Sequence, residues 1–196
     1  MSKSLVFATN NRHKAAEIQQ ILENQYEILT LNDIGCATDI PETGNTFEEN
    51  AALKSSYVAM HYGLDCFADD SGLEIEALNN EPGIYSARYS GTRDDHQNLE
   101  LVLQRMTGIS NRKARFKTVI SLFFDGNYYL FEGIINGTIL FIPEGSSGFG
   151  YDPIFQPEGY HQSFAQMSME EKNRISHRAL ATAKLIAFLK QQEPLS

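Results

Sequence analysis

The chain has 196 residues, enough for one domain with a buried core, and its 42% hydrophobic and 21% charged residues are typical of globular proteins. A formal net charge of -9 argues against broad electrostatic binding to nucleic acid or to an anionic membrane. No apolar run approaches the roughly 20 residues that a membrane-spanning helix needs, and the first residues turn polar too soon for a signal peptide. We therefore expect a single cytoplasmic domain over residues 1–196, with Cys36 and Cys66 as buried free thiols.

Hydrophobic periodicity predicts helices that alternate with strands at both ends of the chain, and a hairpin-rich stretch between them. This pattern indicates a mixed α/β or α+β fold around a twisted central sheet. In chain order, the predicted elements are strand 5–9, a helix around Ile18, Ile21 and Leu22, strand 26–31, helix 46–63, strands 66–68 and 73–78, a turn at 79–83, a helix around 99–106, hairpin strands 115–124 and 128–135, a glycine-rich loop at 145–150, and a C-terminal helical segment that ends before Pro194.

Local motifs predict several of the boundaries. Thr46 and Ser168 each precede a glutamate by three positions, which is the spacing of a capping box at a helix start. Gly63 suits the left-handed position that follows a helix. Asp125-Gly126-Asn127 is a strong hairpin turn signal between two apolar runs.

The loop after the first predicted strand is a candidate phosphate-binding segment. Backbone N–H groups at a helix start attract anions, and Lys14 adds a positive charge. An ordinary strand-to-helix loop is the alternative, because the chain has no glycine-rich phosphate motif. Lys54, on the predicted helix after Thr46, is a second candidate cation or simply a surface lysine. The candidates within the loop are Thr9, Asn10, Asn11, Arg12, His13 and Lys14.

Acidic residues at a strand end form the second candidate cluster, Asp69-Asp70-Ser71-Gly72. Adjacent carboxylates can hold Mg²⁺, which prefers oxygen ligands, and one of them can activate a water molecule. An acidic turn is the alternative, because aspartate and glycine both favour turns. Glu42 and the pair Glu48-Glu49 are possible further ligands, or solvated acids.

Two later segments have residues suited to binding a base. Ser147 to Pro153 surrounds Phe149 with glycines, which allow a flat ligand to approach closely and stack on the ring. Glu171 to Arg178 is locally basic and rich in hydrogen-bond donors. The alternatives are a turn with core aromatics and a solvated helix face. Together the clusters favour nucleotide chemistry without establishing it.

Taken in order, these segments resemble the inosine triphosphate pyrophosphatase family, also described as the XTP/dITP diphosphatases or non-canonical purine NTP pyrophosphatases. The similarity runs from about Val6 to Arg178. The segments that carry it are 7–11 with Lys14 and Glu17, 46–51 with Lys54, 68–73, 82–91, 148–153, and Glu171-Lys172 with Ser176-His177-Arg178.

The resemblance implies Mg²⁺-dependent cleavage of ITP, dITP and XTP between the α and β phosphates, giving a nucleoside monophosphate and pyrophosphate. It also implies an elongated two-lobed fold with a cleft between the lobes, and a homodimer without nucleic acid or membrane partners. By the family pattern, Asp70 is the catalytic residue and, with Glu42, a metal ligand, while Ser71 contacts substrate. The triphosphate would be bound by residues 9–14 and Lys54, and the base by Phe149, Gly150, Tyr151, Asp152, Lys172, His177 and Arg178.

Three other functions compete with this prediction. A pyrophosphatase for another base would differ in its substrate panel, and a non-catalytic binding module would bind ITP without releasing pyrophosphate. Asp70 and Glu42 count against the binding module. A nucleic-acid-binding role is disfavoured by the net charge of -9 and the lack of a basic stripe.

Overall fold

A computed structural model describes residues 3–10, 15, 18, 19, 22 and 26–192. The predicted phosphate residues Asn11, Arg12, His13 and Lys14 lie outside the described residues, as does Ile21 of the first predicted helix. Ala15, Ile18, Gln19 and Leu22, which the structure does describe, are helical, as predicted.

The described elements include both strands and helices. Short 3₁₀ turns at Glu76–Leu78, Gly83–Arg88 and Asp152–Ile154 separate some of them. In chain order they are β1 (Lys3–Phe7), β2 (Tyr26–Leu29), α1 (Phe47–Tyr62), β3 (Cys66–Ile75), β4 (Glu81–Pro82), α2 (Asp95–Arg105), β5 (Lys113–Phe124), β6 (Asn127–Ile139), β7 (Phe155–Pro157), α3 (Met169–Ile175) and α4 (His177–Gln191).

The strands form one mixed sheet, which has seven strands within the described part of the chain. Its order is β2-β1-β3-β5-β6-β7, and β4 pairs with β3 outside this path. β1 is parallel to both β2 and β3, whereas β4 is antiparallel to β3 and β7 is antiparallel to β6. The mixed α/β class predicted from the sequence is confirmed.

The local motifs fold mostly as their chemistry predicts. Thr46 caps α1, because its side chain accepts a hydrogen bond from Glu49 N at 3.1 Å. The Glu49 carboxylate accepts from Asn45 N and not from Thr46 N, so the capping box is incomplete. The predicted box at Ser168 is complete. Gly63 ends α1 with a φ of 64°, in the left-handed region. The hairpin between β5 and β6 turns through Asp125 and Gly126, whose φ values of 48° and 77° match a type I′ turn.

The prediction of separate strands at residues 66–68 and 73–78 is wrong. β3 is continuous from Cys66 to Ile75, and residues 76–78 form a 3₁₀ turn. The polar residues therefore lie within a strand, where side chains alternate between the two faces of the sheet. The alternative that Asp69 and Asp70 serve only as turn formers is excluded by the same observation.

The chain divides into two compact units. The first comprises Met1–Asp70, Val119–Phe131 and Ala181–Ser196, and the second comprises Ser71–Thr118 and Glu132–Leu180. The chain passes from the first unit to the second within β3, directly after Asp70.

Each unit has its own apolar core. The first unit buries two clusters, one around Phe7 and Phe67, whose rings stack at 4.4 Å, and one around Val58 and Cys66. The second unit buries a cluster in which Phe116, Phe155 and Phe164 contact one another. These cores hold the ends of β3 and α1 in place and so fix the backbone from which the candidate site residues project. Among the helices that the structure describes, none is both long and apolar enough to cross a membrane.

Candidate active site

Asp69 and Asp70 are the last residues of β3 in the first unit. Neighbouring residues of a strand point to opposite faces, so the two carboxylates are directed apart. Asp69 is 8% exposed, whereas Asp70 is only partly buried. Asp70 Oδ2 accepts a hydrogen bond from Asn50 Nδ2 at 3.0 Å. This bond fixes the position of the carboxylate.

Lys54 joins three parts of the first unit. Its Nζ contacts Glu42 Oε1 at 2.5 Å and the backbone oxygen of Asp69 at 2.6 Å. The Lys54 and Glu42 side chains are 14% and 31% exposed, so the ion pair is partly shielded from solvent. Lys54 therefore links the loop that carries Glu42 to the strand that carries Asp70.

Asn50 and Lys54 reach β3 from the same helix because they are four residues apart and so lie on one face of α1. Asn50 is 1% exposed, and its Oδ1 accepts from Gly44 N at 2.8 Å. A side chain at position 44 would collide with Glu49 and Asn50, so this approach requires glycine. Asn50 was not singled out from the sequence, although its spacing from Lys54 was a usable signal.

Two residues of the predicted phosphate loop are described. Thr9 is partly buried, its N–H donates to Phe7 O at 2.6 Å, and its carbonyl accepts from Leu31 N at 3.1 Å. Asn10 is exposed, and its Oδ1 accepts from Asn32 N at 3.1 Å. The backbone that leaves β1 is thus tied to the segment after β2.

The oxygen atoms near Asp70 suit a hard cation. Glu42 Oε1 and Asp69 O already bind the Lys54 ammonium, and carboxylate and carbonyl oxygens are the ligands that Mg²⁺ prefers. Within the described ranges, no three His, Cys, Asp or Glu side chains come together as a metal site. Mg²⁺ usually binds through one or two carboxylates together with water and substrate phosphates, so the donor set of Glu42 and Asp70 fits it.

The second unit presents an aromatic ring on a tight loop. Phe149 is 62% exposed, and its N–H donates to Asp152 Oδ2 at 2.9 Å. Gly148 has a φ of 83°, and a side chain there would collide with the Asp152 carboxylate. The next N–H, of Gly150, donates to Asp95 Oδ2 at 2.9 Å. These contacts hold the backbone so that the Phe149 ring faces outward.

Two cations flank this ring. Lys172 forms an ion pair with Asp152, and the two side chains are 13% and 4% exposed. Lys172 Nζ lies 4.7 Å from the centre of the Phe149 ring, and Arg178 Cζ lies 6.0 Å from it. Arg178 Nη2 also donates to Ser71 Oγ at 3.3 Å. The structure thus brings Phe149, Asp152, Lys172, Arg178 and Ser71 together within one unit.

Two further predicted residues are largely buried. His177 is 7% exposed and stacks on Phe116 with ring centres 4.7 Å apart. Tyr151 is 4% exposed and donates its hydroxyl to Ser86 O at 2.8 Å. Burial raises the pKa of Tyr151 above its ordinary value, so its hydroxyl stays protonated and serves as a donor. Ser86 and Asp95 were not singled out as site residues from the sequence, because their contacts with the loop span 65 and 55 residues.

Comparison with known proteins gives a consistent assignment. Residues 5–188 match the Ham1 family. The dITP/XTP pyrophosphatase of Flavobacterium psychrophilum is 55% identical over 95% of this chain and 98% of its own length. The dITP/XTP pyrophosphatase of Porphyromonas gingivalis is 52% identical over 95% of this chain and 97% of its own.

Solved structures that resemble this chain also belong to Ham1 proteins. The Ham1 protein of Staphylococcus aureus is 41% identical and superposes with a TM-score of 0.94, covering 97% of this chain and 100% of that one. A HAM1 protein from Coxiella burnetii is 37% identical, with a TM-score of 0.92 over 96% of this chain and 99% of that one. With a family match over nearly all of its length and relatives above 50% identity, the chain belongs to the Ham1 family.

Proposed function

We propose that this chain hydrolyses ITP, dITP and XTP to the nucleoside monophosphate and pyrophosphate, acting as one catalytic domain that clears these nucleotides from the cellular pool. Relatives that are 50% to 55% identical over nearly their whole length carry the name dITP/XTP pyrophosphatase. Such similarity across both units supports the same reaction class for this chain.

The observation that carries this proposal is the exposed Phe149 ring with two cationic donors beside it. A purine base can stack on the ring, while Lys172 and Arg178 are near enough to reach the base edge. Asp152 holds Lys172 in place through the buried ion pair and holds Phe149 through its N–H. The base site is therefore organised before a ligand arrives.

The donors explain a preference for a keto group at C6 of the purine. Lysine and arginine donate hydrogen bonds and accept none, so they pair with the C6 oxygen of inosine and xanthine. The C6 amino group of adenine would leave those donors unpaired, which sites of this kind can penalise by orders of magnitude. Guanine carries the same C6 oxygen, so this contact separates ITP from ATP but not from GTP.

Asp70 is the residue proposed to act on the attacking water. Its carboxylate, held by Asn50, would orient the water for in-line attack at the α phosphorus and accept its proton. An ammonium has three N–H donors, and the contacts of Lys54 with Glu42 and Asp69 use two of them. The third would bind a phosphate oxygen and stabilise the leaving pyrophosphate.

Mg²⁺ is the proposed cofactor, held by Asp70 and Glu42. A Mg²⁺ ion held by these two carboxylates would supply positive charge that offsets the negative charge developing during the reaction. Residues 9–14 are proposed to bind the triphosphate, because the Thr9 and Asn10 backbone lies where β1 ends. The family resemblance also predicts a homodimer in the cytoplasm, and sedimentation of the purified protein would test the dimer.

Asp70→Asn tests the catalytic assignment. Asparagine keeps an oxygen that can accept from Asn50 but cannot take a proton at neutral pH, so we expect pyrophosphate release from ITP to fall by about 10²-fold or more. Asp65→Asn is the matched control, because Asp65 lies just before β3 and contacts Lys3 and Asp125 N, both at the far end from Asp70. Near-normal turnover in a folded Asp70→Asn variant would refute the assignment.

A further inference from the structure

The segment Gly83–Arg88 contacts two parts of the second unit, β3 at Leu73 and the loop that carries Phe149. It forms a 3₁₀ turn between β4 and α2, and no step of the proposed reaction uses it. Ser86 lies in this turn and is partly buried. Its hydroxyl and its carbonyl form hydrogen bonds to different partners, and these partners are distant from each other in the chain.

The hydroxyl of Ser86 binds β3. Ser86 Oγ accepts from Leu73 N at 2.9 Å and donates to Gly83 O at 2.6 Å. Leu73 is fully buried and stands two residues after Ser71, the partner of Arg178. The bond to Gly83 orients the hydroxyl hydrogen away from β3, which leaves the oxygen lone pair to accept from Leu73.

The carbonyl of Ser86 binds the loop that carries the Phe149 ring. Ser86 O accepts from the buried Tyr151 hydroxyl at 2.8 Å. Tyr151 is two residues after Phe149 and directly before Asp152, which holds Phe149 N and Lys172. A shift of Tyr151 would therefore move the ring and the Lys172 partner together.

We propose that Ser86 is a positioning residue for base selection, which fixes the Phe149 loop relative to the Ser71 end of β3 by bonding to both. One connection between them runs through Ser71, Arg178 and the Phe149 ring, where the base would bind. The other runs through Leu73, Ser86 and Tyr151, and it forms without a bound base. Ser86 thus sets the separation between the ring and the Arg178 donor.

The chain contains no tryptophan, so Phe149→Trp creates a single fluorescent reporter on the loop. In this background, Ser86→Ala should increase the amplitude of fast, nanosecond motion in the anisotropy decay, because the loop loses its link to β3. Ser90→Ala is the matched control. Ser90 is also partly buried, and its hydroxyl bonds to Asn98 and Thr92, neither of which lies in β3 or in the Phe149 loop. Unchanged anisotropy in folded Ser86→Ala would overturn the inference.

The second readout is selectivity, which rests on the proposed function. With native Phe149, Ser86→Ala and Tyr151→Phe should each lower the ratio of kcat/KM for ITP to that for ATP by about threefold to tenfold, the value of one hydrogen bond. Because both kcat/KM values are measured on the same preparation, any loss of folded protein lowers them equally and leaves their ratio unchanged. Ser86→Thr, which keeps the hydroxyl, should restore the ratio.

The two readouts separate failure of the inference from failure of the proposed function. Absence of ITP turnover in the unmodified chain would refute the proposed function, and the anisotropy measurement would still decide whether Ser86 positions the loop. Normal turnover with an unchanged ratio in both Ser86→Ala and Tyr151→Phe would refute the role of Ser86 alone.

Discussion

The ion pair between Asp152 and Lys172 should contribute strongly to the stability of the second unit. The two side chains are 4% and 13% exposed, so removing one charge leaves the other in a poorly solvated site. Breaking a buried pair in this way costs about 3 kcal/mol or more, whereas exposed pairs contribute about 1 kcal/mol or less. Lys172→Met keeps most of the side-chain volume beside Phe149 and Phe164, so the lost charge dominates. We expect a fall of about 3 kcal/mol in the free energy of unfolding.

Urea unfolding of the variant and of a matched control measures this effect. Arg174 lies on the same helix, α3, and pairs with Glu170, but those side chains are 71% and 78% exposed. Arg174→Met should therefore cost about 0.5 kcal/mol or less. Adding Asp152→Asn to Lys172→Met removes the carboxylate that has lost its partner. The loss of unfolding free energy in the double variant should therefore be smaller than the sum of the losses in the two single variants. A Lys172→Met effect as small as that of Arg174→Met would refute the reasoning.

Three further predictions follow from the site and the core. Arg178→Ala should lower the preference for ITP over ATP by about tenfold or more, measured as a ratio of kcat/KM values, and an intact preference would exclude Arg178 from selection. Gly148→Ala should weaken binding of the ITP product IMP, measured by calorimetry, because a Cβ at a φ of 83° meets the Asp152 carboxylate; unchanged affinity would show that the loop can relax. Burial raises the pKa of Cys66 from 9.0 to about 12, so the folded state keeps a proton that the unfolded chain loses in this interval. The free energy of unfolding should therefore fall as the pH rises from 9 toward 12, and it should fall less steeply in Cys66→Ala. An equal dependence on pH in the variant and the unmodified protein would contradict this prediction.

The features that could be predicted from the sequence are governed by neighbouring residues. The Thr46 and Ser168 caps, the Gly63 helix end and the Asp125-Gly126 turn each depend on a few adjacent residues, so their residue types suffice to predict them. The order of strands and helices follows for the same reason, because the apolar period of each segment is a local property.

The continuity of β3 could not be predicted in this way. Asp69 to Gly72 has the composition of a turn, yet it forms the middle of a strand that passes from one unit to the other. Tertiary packing on both sides overrides local preference there, as strand propensity is strongly dependent on context.

The partners within the site are also set by the fold rather than by local pattern. Asp152 remains a predicted contact of the base, and in the structure its carboxylate accepts from Phe149 N and pairs with Lys172. Lys54 remains a predicted phosphate contact, and the structure shows only that it links Glu42 to Asp69. The Lys172–Asp152 pair and the two contacts of Lys54 join residues 12 to 20 positions apart, beyond the reach of helix or strand periodicity.

The central claim is that the chain hydrolyses ITP and XTP to pyrophosphate with Mg²⁺ as cofactor. The most direct measurement is pyrophosphate release from ITP, XTP, ATP and GTP, each with Mg²⁺ and with EDTA. We expect fast release from ITP and XTP that EDTA abolishes, with ATP nearly inert, while GTP tests whether a contact other than the Lys172 and Arg178 donors excludes guanine. Equal release from ATP would contradict the role of the Lys172 and Arg178 donors, and no release from any of the four would contradict the proposed function itself.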